Sequence, residues 1–335
     1  MLAFFRSTQS YVGLPFLLYA LLLQLPVFFG WSPETEPTPV TSGFGVLGNY
    51  LATWSAGSPY LARVLPVILL TILGIQVSAL TNRYHFTRVG TQLPALGLLL
   101  VWGLVPGLRQ LHPALVANIF LLAAATAVAG VYKNPYPQIK LFNAGVWLGL
   151  AALFVPGYLL FLLPIYLAAN ILGKTGFASL LRLLIGVGVV YFIGGTIAYY
   201  LDGLSGFLNV QLPTLSFQVQ PSVDPFVLGS LALLLLLLLF LLSQSPNLKR
   251  LINIQGSKGV DMLYLLLLFS PLVVLFTSGL APIDTFTLIV PLGILFGLWL
   301  QYLPERVAEL VHLLVFAAAF LFGASHLIVL LTATQ

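Results

Sequence analysis

This chain has few charged residues and no cysteine. Asp, Glu, Lys and Arg make up 6% of its 335 residues, and hydrophobic residues make up 60%. A soluble domain typically carries about 25% charged residues, so the composition excludes a water-soluble protein. The absence of cysteine excludes disulfides, thiolate metal sites and a cysteine nucleophile. The chain is therefore predicted to be an all-α integral membrane protein that crosses the bilayer many times.

Acidic residues are absent from the middle of every predicted span. Secondary transporters and proton pumps usually place an ionisable group at mid-membrane depth. This pattern argues against those classes. The net charge of +5 does not indicate nucleic-acid binding, because the cations occur singly or in pairs between apolar runs.

The thirteen cations are distributed asymmetrically along the chain. Short loops rich in Lys and Arg resist translocation, so they predict the cytoplasmic side. With a cytoplasmic N-terminus, only Arg63 and Arg109 fall outside. Eleven fall on the cytoplasmic side: Arg6, Arg83, Arg88, Lys133, Lys140, Lys174, Arg182, Lys249, Arg250, Lys258 and Arg306.

The apolar runs predict about eleven transmembrane helices in a single polytopic domain, residues 1–335, with an external C-terminus. The stretch 141–172 lies between Lys140 and Lys174, which are both predicted to be cytoplasmic. It must leave and return, so we predict a short helical hairpin with its turn at Pro156. The other spans are predicted at about 11–30, 61–81, 92–108, 113–132, 180–201, 226–243, 260–280, 285–303 and 308–331.

Two external loops, 31–60 and 203–225, are longer than a turn requires, and long connections are often functional. Within the first loop, the apolar stretch from Phe44 to Trp54 predicts a short helix along the bilayer surface. In the second loop, the alternation around Gln211 and Gln218 predicts an extended strand or an interfacial flap.

The external loops also hold the candidate catalytic residues. Glu34 and Glu36 follow the first span closely, and such a carboxylate can act as a general base or bind a divalent metal ion. Arg63, Arg109 and His112 are the external groups that could bind a substrate phosphate. The alternative interpretation is structural, with the two glutamates as solvated loop acids and the arginines as interfacial anchors.

Two resemblances follow from the order of these features. The run Leu141-Phe142-Asn143-Ala144-Gly145, with Gly149 and the Pro156 turn after it, resembles a family of uncharacterised bacterial envelope membrane proteins known only as a domain of unknown function. The resemblance extends over most of the chain and implies location in the bacterial inner (cytoplasmic) membrane. It implies no particular activity.

The layout is also similar to that of the GT-C glycosyltransferases. These enzymes have an acidic first external loop, short paired helices in mid-chain and a later external loop over the lipid donor. The resemblance implies a transferase that uses a polyprenyl-phosphate-linked sugar at the external (periplasmic) face. The chain departs from that family because it has glutamates in a Pro-Glu-Thr-Glu setting, and no soluble C-terminal domain is predicted in it.

Two other functions remain open at this stage. The chain could be a noncatalytic membrane subunit or scaffold of an envelope-assembly machine, with membrane proteins as partners, or a lipid or solute transporter. In each case membrane lipids are partners and nucleic acid is not.

Overall fold

The computed structural model describes residues 2–6, 13–31, 44–173, 176–201, 203–212, 225–250, 252–275 and 286–327. Within these ranges the regular structure is α-helix and 3-10 helix, without strands. The first half of the chain contains α1 (Leu2–Phe5), α2 (Gly13–Phe28), α3 (Val46–Ala56), α4 (Pro59–Arg83), α5 (Leu93–Gly103), α6 (Pro113–Ala129), α7 (Pro137–Phe154) and α8 (Leu162–Gly173). The second half contains α9 (Phe177–Leu201), α10 (Leu204–Gln211), α11 (Pro225–Ser243), α12 (Ser245–Arg250), α13 (Ile254–Leu275), α14 (Phe286–Tyr302) and α15 (Glu305–Gly323). Short 3-10 helices follow α5 at Pro106–Leu108 and α7 at Pro156–Phe161.

Within the described ranges, each predicted span overlaps a helix, although the helices differ in length. Six in the described ranges are long and apolar enough to cross a membrane: Tyr60–Arg83, Pro156–Gly173, Phe177–Leu201, Pro225–Ser243, Ile254–Val273 and Glu305–Gly323. Four more are apolar but shorter: Gly13–Phe28, Leu93–Gly103, Pro113–Ala129 and Phe286–Tyr302. The protein is thus a multi-pass, all-helical membrane protein, whereas the number of eleven spans and the sides of the termini stay predictions.

The helical structure is interrupted where the hairpin at 141–172 is predicted to turn, and the hairpin itself stays a prediction. α7 and α8 are joined by the 3-10 helix that begins at Pro156. Val155, the residue before Pro156, has an extended backbone (φ −138°, ψ 104°), which the steric demand of a following proline favours, and this ends α7.

Helices α5 and α14 form the centre of the core, and every residue of α5 is buried. Their backbones approach closely because Gly97 on α5 faces Gly293 and Gly297 on α14. A Cβ atom added to Gly97 would lie 2.5 Å from the Gly293 carbonyl oxygen and 2.6 Å from the Gly297 nitrogen. Small residues at such spacing allow tight helix packing in membranes. An eleven-residue helix is only about 16 Å long. Because α5 is enclosed by protein, its length does not need to match the thickness of the bilayer.

Contacts between the connecting segments show which helix ends lie together, and they form two sets. At one end, Arg6 Nη2 donates to the Leu303 carbonyl oxygen at 3.0 Å, and Thr91 Oγ1 donates to the Phe5 carbonyl oxygen at 3.0 Å. At the other end, the Leu111 amide donates to the Ala62 carbonyl oxygen at 3.2 Å. Each contact joins segments predicted on the same side of the membrane. We therefore name these the cytoplasmic end and the external end, following the orientation that the charges predict.

Candidate functional site

The external loops meet on one surface, which we call the external platform. It consists of α3, α10 and the C-terminal end of α7. The prediction of a short helix in the first loop is confirmed by α3. The prediction of a strand in the second loop is wrong for its first part, because Leu204–Gln211 is helical.

The misassignment of α10 has a local reason. Gly203 has a φ of +90°, a conformation that glycine adopts at little cost, and it turns the chain sharply after α9. α10 then folds back on α9, where Phe207 packs near Gly194 and Gly195 and its ring lies edge-on to Tyr191 at 6.1 Å. A period-two pattern over a few residues cannot report this return onto α9. The remainder of the loop, 213–224, lies outside the described residues.

Gln211 ties the platform together. Its side chain is 1% exposed. The carboxamide oxygen accepts a hydrogen bond from the Val46 amide at 3.0 Å, and the carboxamide nitrogen donates to the Ala152 carbonyl oxygen at 3.2 Å. One side chain therefore joins α10, the start of α3 and the end of α7.

The chain enters α3 through a second contact with α7. The Gly45 amide donates to the Phe154 carbonyl oxygen at 2.9 Å. A side chain at Gly45 would collide with the Leu153 carbonyl group, so the close approach requires glycine here. Segment 32–43, which carries the predicted catalytic residues Glu34 and Glu36, ends directly before this anchored stretch. Both glutamates lie outside the described residues.

His112 is buried beside the platform. As the N-cap of α6, its Nδ1 atom accepts from the Ala114 amide at 3.2 Å. Its ring lies edge-on to Phe44 at 5.1 Å and tilted against Phe286 at 5.3 Å. This burial, in the connection between α5 and α6, lowers the pKa of His112 to about 4, so the ring is neutral at pH 7.

Two further polar side chains, Tyr158 and Asn118, adjoin the contact between His112 and Phe286. Tyr158 donates through its hydroxyl group to the Asn118 side-chain oxygen at 2.7 Å, and Asn118 donates to the Phe286 carbonyl oxygen at 3.3 Å. Amides within apolar segments commonly make interhelical hydrogen bonds, and Asn118 of α6 makes one to α14. The hydrogen bonds of Asn118 fix the start of α14 to α6 and to the 3-10 helix between α7 and α8.

Arg109 is almost completely buried, with 1% of its surface exposed. Its guanidinium group donates to the main-chain carbonyl oxygens of Leu23, Gly103 and Ala319, the Gly103 bond measuring 2.8 Å. These residues belong to the C-terminal parts of α2, α5 and α15. Because the C-terminus of a helix carries partial negative charge, three parallel helices compensate one buried cation.

Small residues make room for this arrangement. A Cβ atom at Gly323 of α15 would collide with the Arg109 guanidinium carbon. Burial lowers the pKa of Arg109 to about 10, which leaves the side chain charged at pH 7. We interpret Arg109 as a clamp that holds the external ends of three helices together.

Arg63 differs from Arg109 because it is exposed, near the N-terminal end of α4. It lies next to Ala62, whose carbonyl oxygen binds the Leu111 amide, and so it is near the connection that carries His112. Of the three predicted phosphate-binding side chains, Arg63 is the one that the described conformation offers to a ligand. Phosphate binding by Arg109 and His112 stays a prediction, since both side chains are enclosed.

No cluster of three His, Asp or Glu side chains that could hold a metal ion occurs within the part of the chain that the structure describes. The predicted metal ligands Glu34 and Glu36 are outside that part. No family model, no curated protein and no solved structure matches this chain. The two resemblances drawn from the sequence therefore stay predictions.

Proposed function

We propose that this membrane protein is a GT-C-like transferase that takes a sugar from a polyprenyl-phosphate donor at the external platform. The observation that supports the proposal is the pair of hydrogen bonds made by Gln211. They hold together the helices to which both long external loops are attached, the loop with Glu34 and Glu36 and the loop 203–225.

In the proposed reaction, Glu34 or Glu36 accepts the proton of an acceptor hydroxyl group. The acceptor oxygen bonds to the anomeric carbon of the sugar as the bond from that carbon to the phosphate oxygen breaks. The polyprenyl phosphate leaves with the bonding electrons, and Arg63 neutralises part of its charge. A divalent metal ion held by the two glutamates would supply additional neutralisation.

The test uses the full-length protein in lipid nanodiscs. A panel of synthetic polyprenyl-phosphate-linked sugars is added, and the released polyprenyl phosphate is measured by mass spectrometry. We expect the double variant Glu34→Gln/Glu36→Gln to lower release by about 100-fold or more, the range for loss of general-base catalysis. Glu305→Gln is the matched control, because Glu305 lies at the cytoplasmic end, 3.8 Å from Arg6.

A positioning role for Gln211 is tested in the same assay. Gln211→Leu removes the hydrogen bonds to Val46 and Ala152. We expect this variant to have a lower kcat and an unchanged structure at the cytoplasmic end. Equal release by the wild type and the double glutamate variant, or no release from any donor, contradicts the proposal. In that event, envelope proteins that co-purify in mild detergent would support a scaffold, and gradient-dependent flux in liposomes would support a transporter.

A further inference from the structure

A groove lies at the cytoplasmic end, opposite the proposed transferase site. Helices α4 and α7 both pack against α6 but have little contact with each other. The space between them is floored by small residues of α6, namely Ala123, Thr126 and Ala127. The groove has a volume of about 280 Å³.

The walls of the groove carry positive charge. Arg83, the last residue of α4, is exposed on one wall, and Lys140, in the first turn of α7, is half-buried on the other. Among the described residues that line the groove there is no Asp or Glu. Two cations without a neutralising acid favour an anionic ligand, and phosphate oxygens are the natural partners of an arginine and a lysine.

An amide with spare hydrogen-bonding capacity lies deeper in the groove. Gln76 is seven residues before Arg83 on α4, or about 10 Å closer to the membrane centre. Its side-chain oxygen is enclosed and accepts no hydrogen bond from the described residues. Turning the carboxamide presents its NH₂ group instead, so Gln76 can either accept from a ligand or donate to an ester carbonyl. A buried amide oxygen without a hydrogen-bond partner is uncommon in proteins.

An apolar track continues from the groove towards the external end. Ile68 and Ile72 are exposed on α4 at helical spacing from Gln76, so they share its face. On α7, the Trp147 ring lines the groove and stacks on Phe120 with ring centres 6.0 Å apart. A charged end followed by an amide and then by hydrocarbon matches an amphiphile and not a free anion.

We propose that this groove binds the phosphate head group of an anionic membrane lipid from the cytoplasmic leaflet. The lipid phosphate lies between Arg83 and Lys140. The Gln76 carboxamide donates to an ester carbonyl of the glycerol backbone, and one acyl chain follows Ile72 and Ile68. The site is independent of the proposed transferase activity, which is located at the other end of the helices.

Native mass spectrometry tests the proposal on the full-length protein. The protein is exchanged into mixed nanodiscs of phosphatidylglycerol and phosphatidylcholine, released, and examined for retained lipid. We expect the wild type to retain phosphatidylglycerol preferentially, and Arg83→Gln/Lys140→Gln to reduce its retention about tenfold, since each cation near an anionic leaflet contributes severalfold in affinity. The control Arg88→Gln/Arg306→Gln removes two exposed cations from the same end, outside the groove, and should change retention less than twofold.

A second variant keeps every charge. Ala123→Phe fills the floor of the groove, and we expect it to reduce phosphatidylglycerol retention as strongly as the charge variant does. This arm decides the matter if removal of the cations prevents folding. Equal retention in Ala123→Phe and wild type, or the same loss in the Arg88/Arg306 control, overturns the proposal. Displacement of the lipid by inorganic phosphate would identify a free anion as the occupant and would also overturn it.

Discussion

The buried cation Arg109 allows a sharp test of the architecture. If its guanidinium group clamps α2, α5 and α15, then Arg109→Met must destabilise the protein even though methionine suits an apolar surrounding. The external cation Arg63 provides a matched comparison. It comes from the same side of the membrane, but it is exposed, so Arg63→Met removes the same charge without breaking a buried contact.

The magnitude follows from the three carbonyl groups. Gly103 is the last residue of α5, so its carbonyl oxygen has no partner within that helix. Loss of the hydrogen bond from Arg109 would leave this buried oxygen unpaired, which costs about 1–3 kcal/mol. Leu23 and Ala319 lie towards the C-termini of α2 and α15, where a cation contributes about 0.3–1 kcal/mol each. Methionine avoids the desolvation of the guanidinium group, which offsets part of this loss. We expect a net destabilisation of about 2–3 kcal/mol.

Reversible unfolding in mixed micelles measures the effect. The free energy of unfolding of Arg109→Met should be lower than that of the wild type by this amount, whereas Arg63→Met should change it by less than about 0.5 kcal/mol. The free energy of unfolding of Arg109→Lys should lie between those of the wild type and Arg109→Met. An ammonium group keeps the charge but cannot reproduce the forked set of donors of a guanidinium group. Wild-type stability of Arg109→Met would refute the clamp and would return Arg109 to the set of candidate phosphate ligands.

Three further predictions concern packing and protonation. Gly97→Ala should lower the free energy of unfolding by about 1–3 kcal/mol, because its Cβ would meet the α14 backbone at 2.5 Å; Gly188→Ala, whose Cβ meets nothing within 4 Å, should be neutral or stabilising in the same measurement. The pKa of His112 is about 4 in the fold and about 6.5 when unfolded, so the unfolded state binds more protons and stability should fall as pH drops from about 7 to 4. His112→Asn can still cap α6, but it removes the titrating ring. The fall in its free energy of unfolding between pH 7 and pH 4 should therefore be smaller than that of the wild type by up to about 3 kcal/mol. An unchanged pH profile of unfolding would contradict burial of the ring. Tyr158→Phe should cost about 1–3 kcal/mol, since Asn118 loses its donor at 2.7 Å; unchanged thermal unfolding would contradict that contact.

Local and one-dimensional features were readable from the sequence. Apolar runs of the right length placed the helices, because lipid requires the backbone to satisfy its own hydrogen bonds within each segment. The cations flanking 141–172 predicted a hairpin there, and the break between α7 and α8 begins at Pro156, the predicted turn. The helix α3 was also predicted, because the apolar stretch from Phe44 to Trp54 is long enough for a short helix.

Long-range partnerships were not readable. Gln211 was predicted to lie in an extended strand or an interfacial flap, because alternation over a few residues cannot report that Gly203 turns the chain back onto α9. A sign was nevertheless present, since a glutamine within an apolar segment needs buried partners. Gly293 and Gly297 form a small-xxx-small pair that indicates close packing, but only the fold identifies Gly97 as the opposing residue.

By itself the sequence indicated a multi-pass helical membrane protein and predicted an orientation for it, because hydropathy and charge act residue by residue. Only the tertiary structure distinguished Arg63 from Arg109, two cations that the charge pattern treats alike. Three helix ends surround Arg109 and leave Arg63 exposed, and the same packing leaves Arg83 and Lys140 facing one groove. Burial and shared partners depend on residues up to about 300 positions apart in the chain, so no local pattern can encode them.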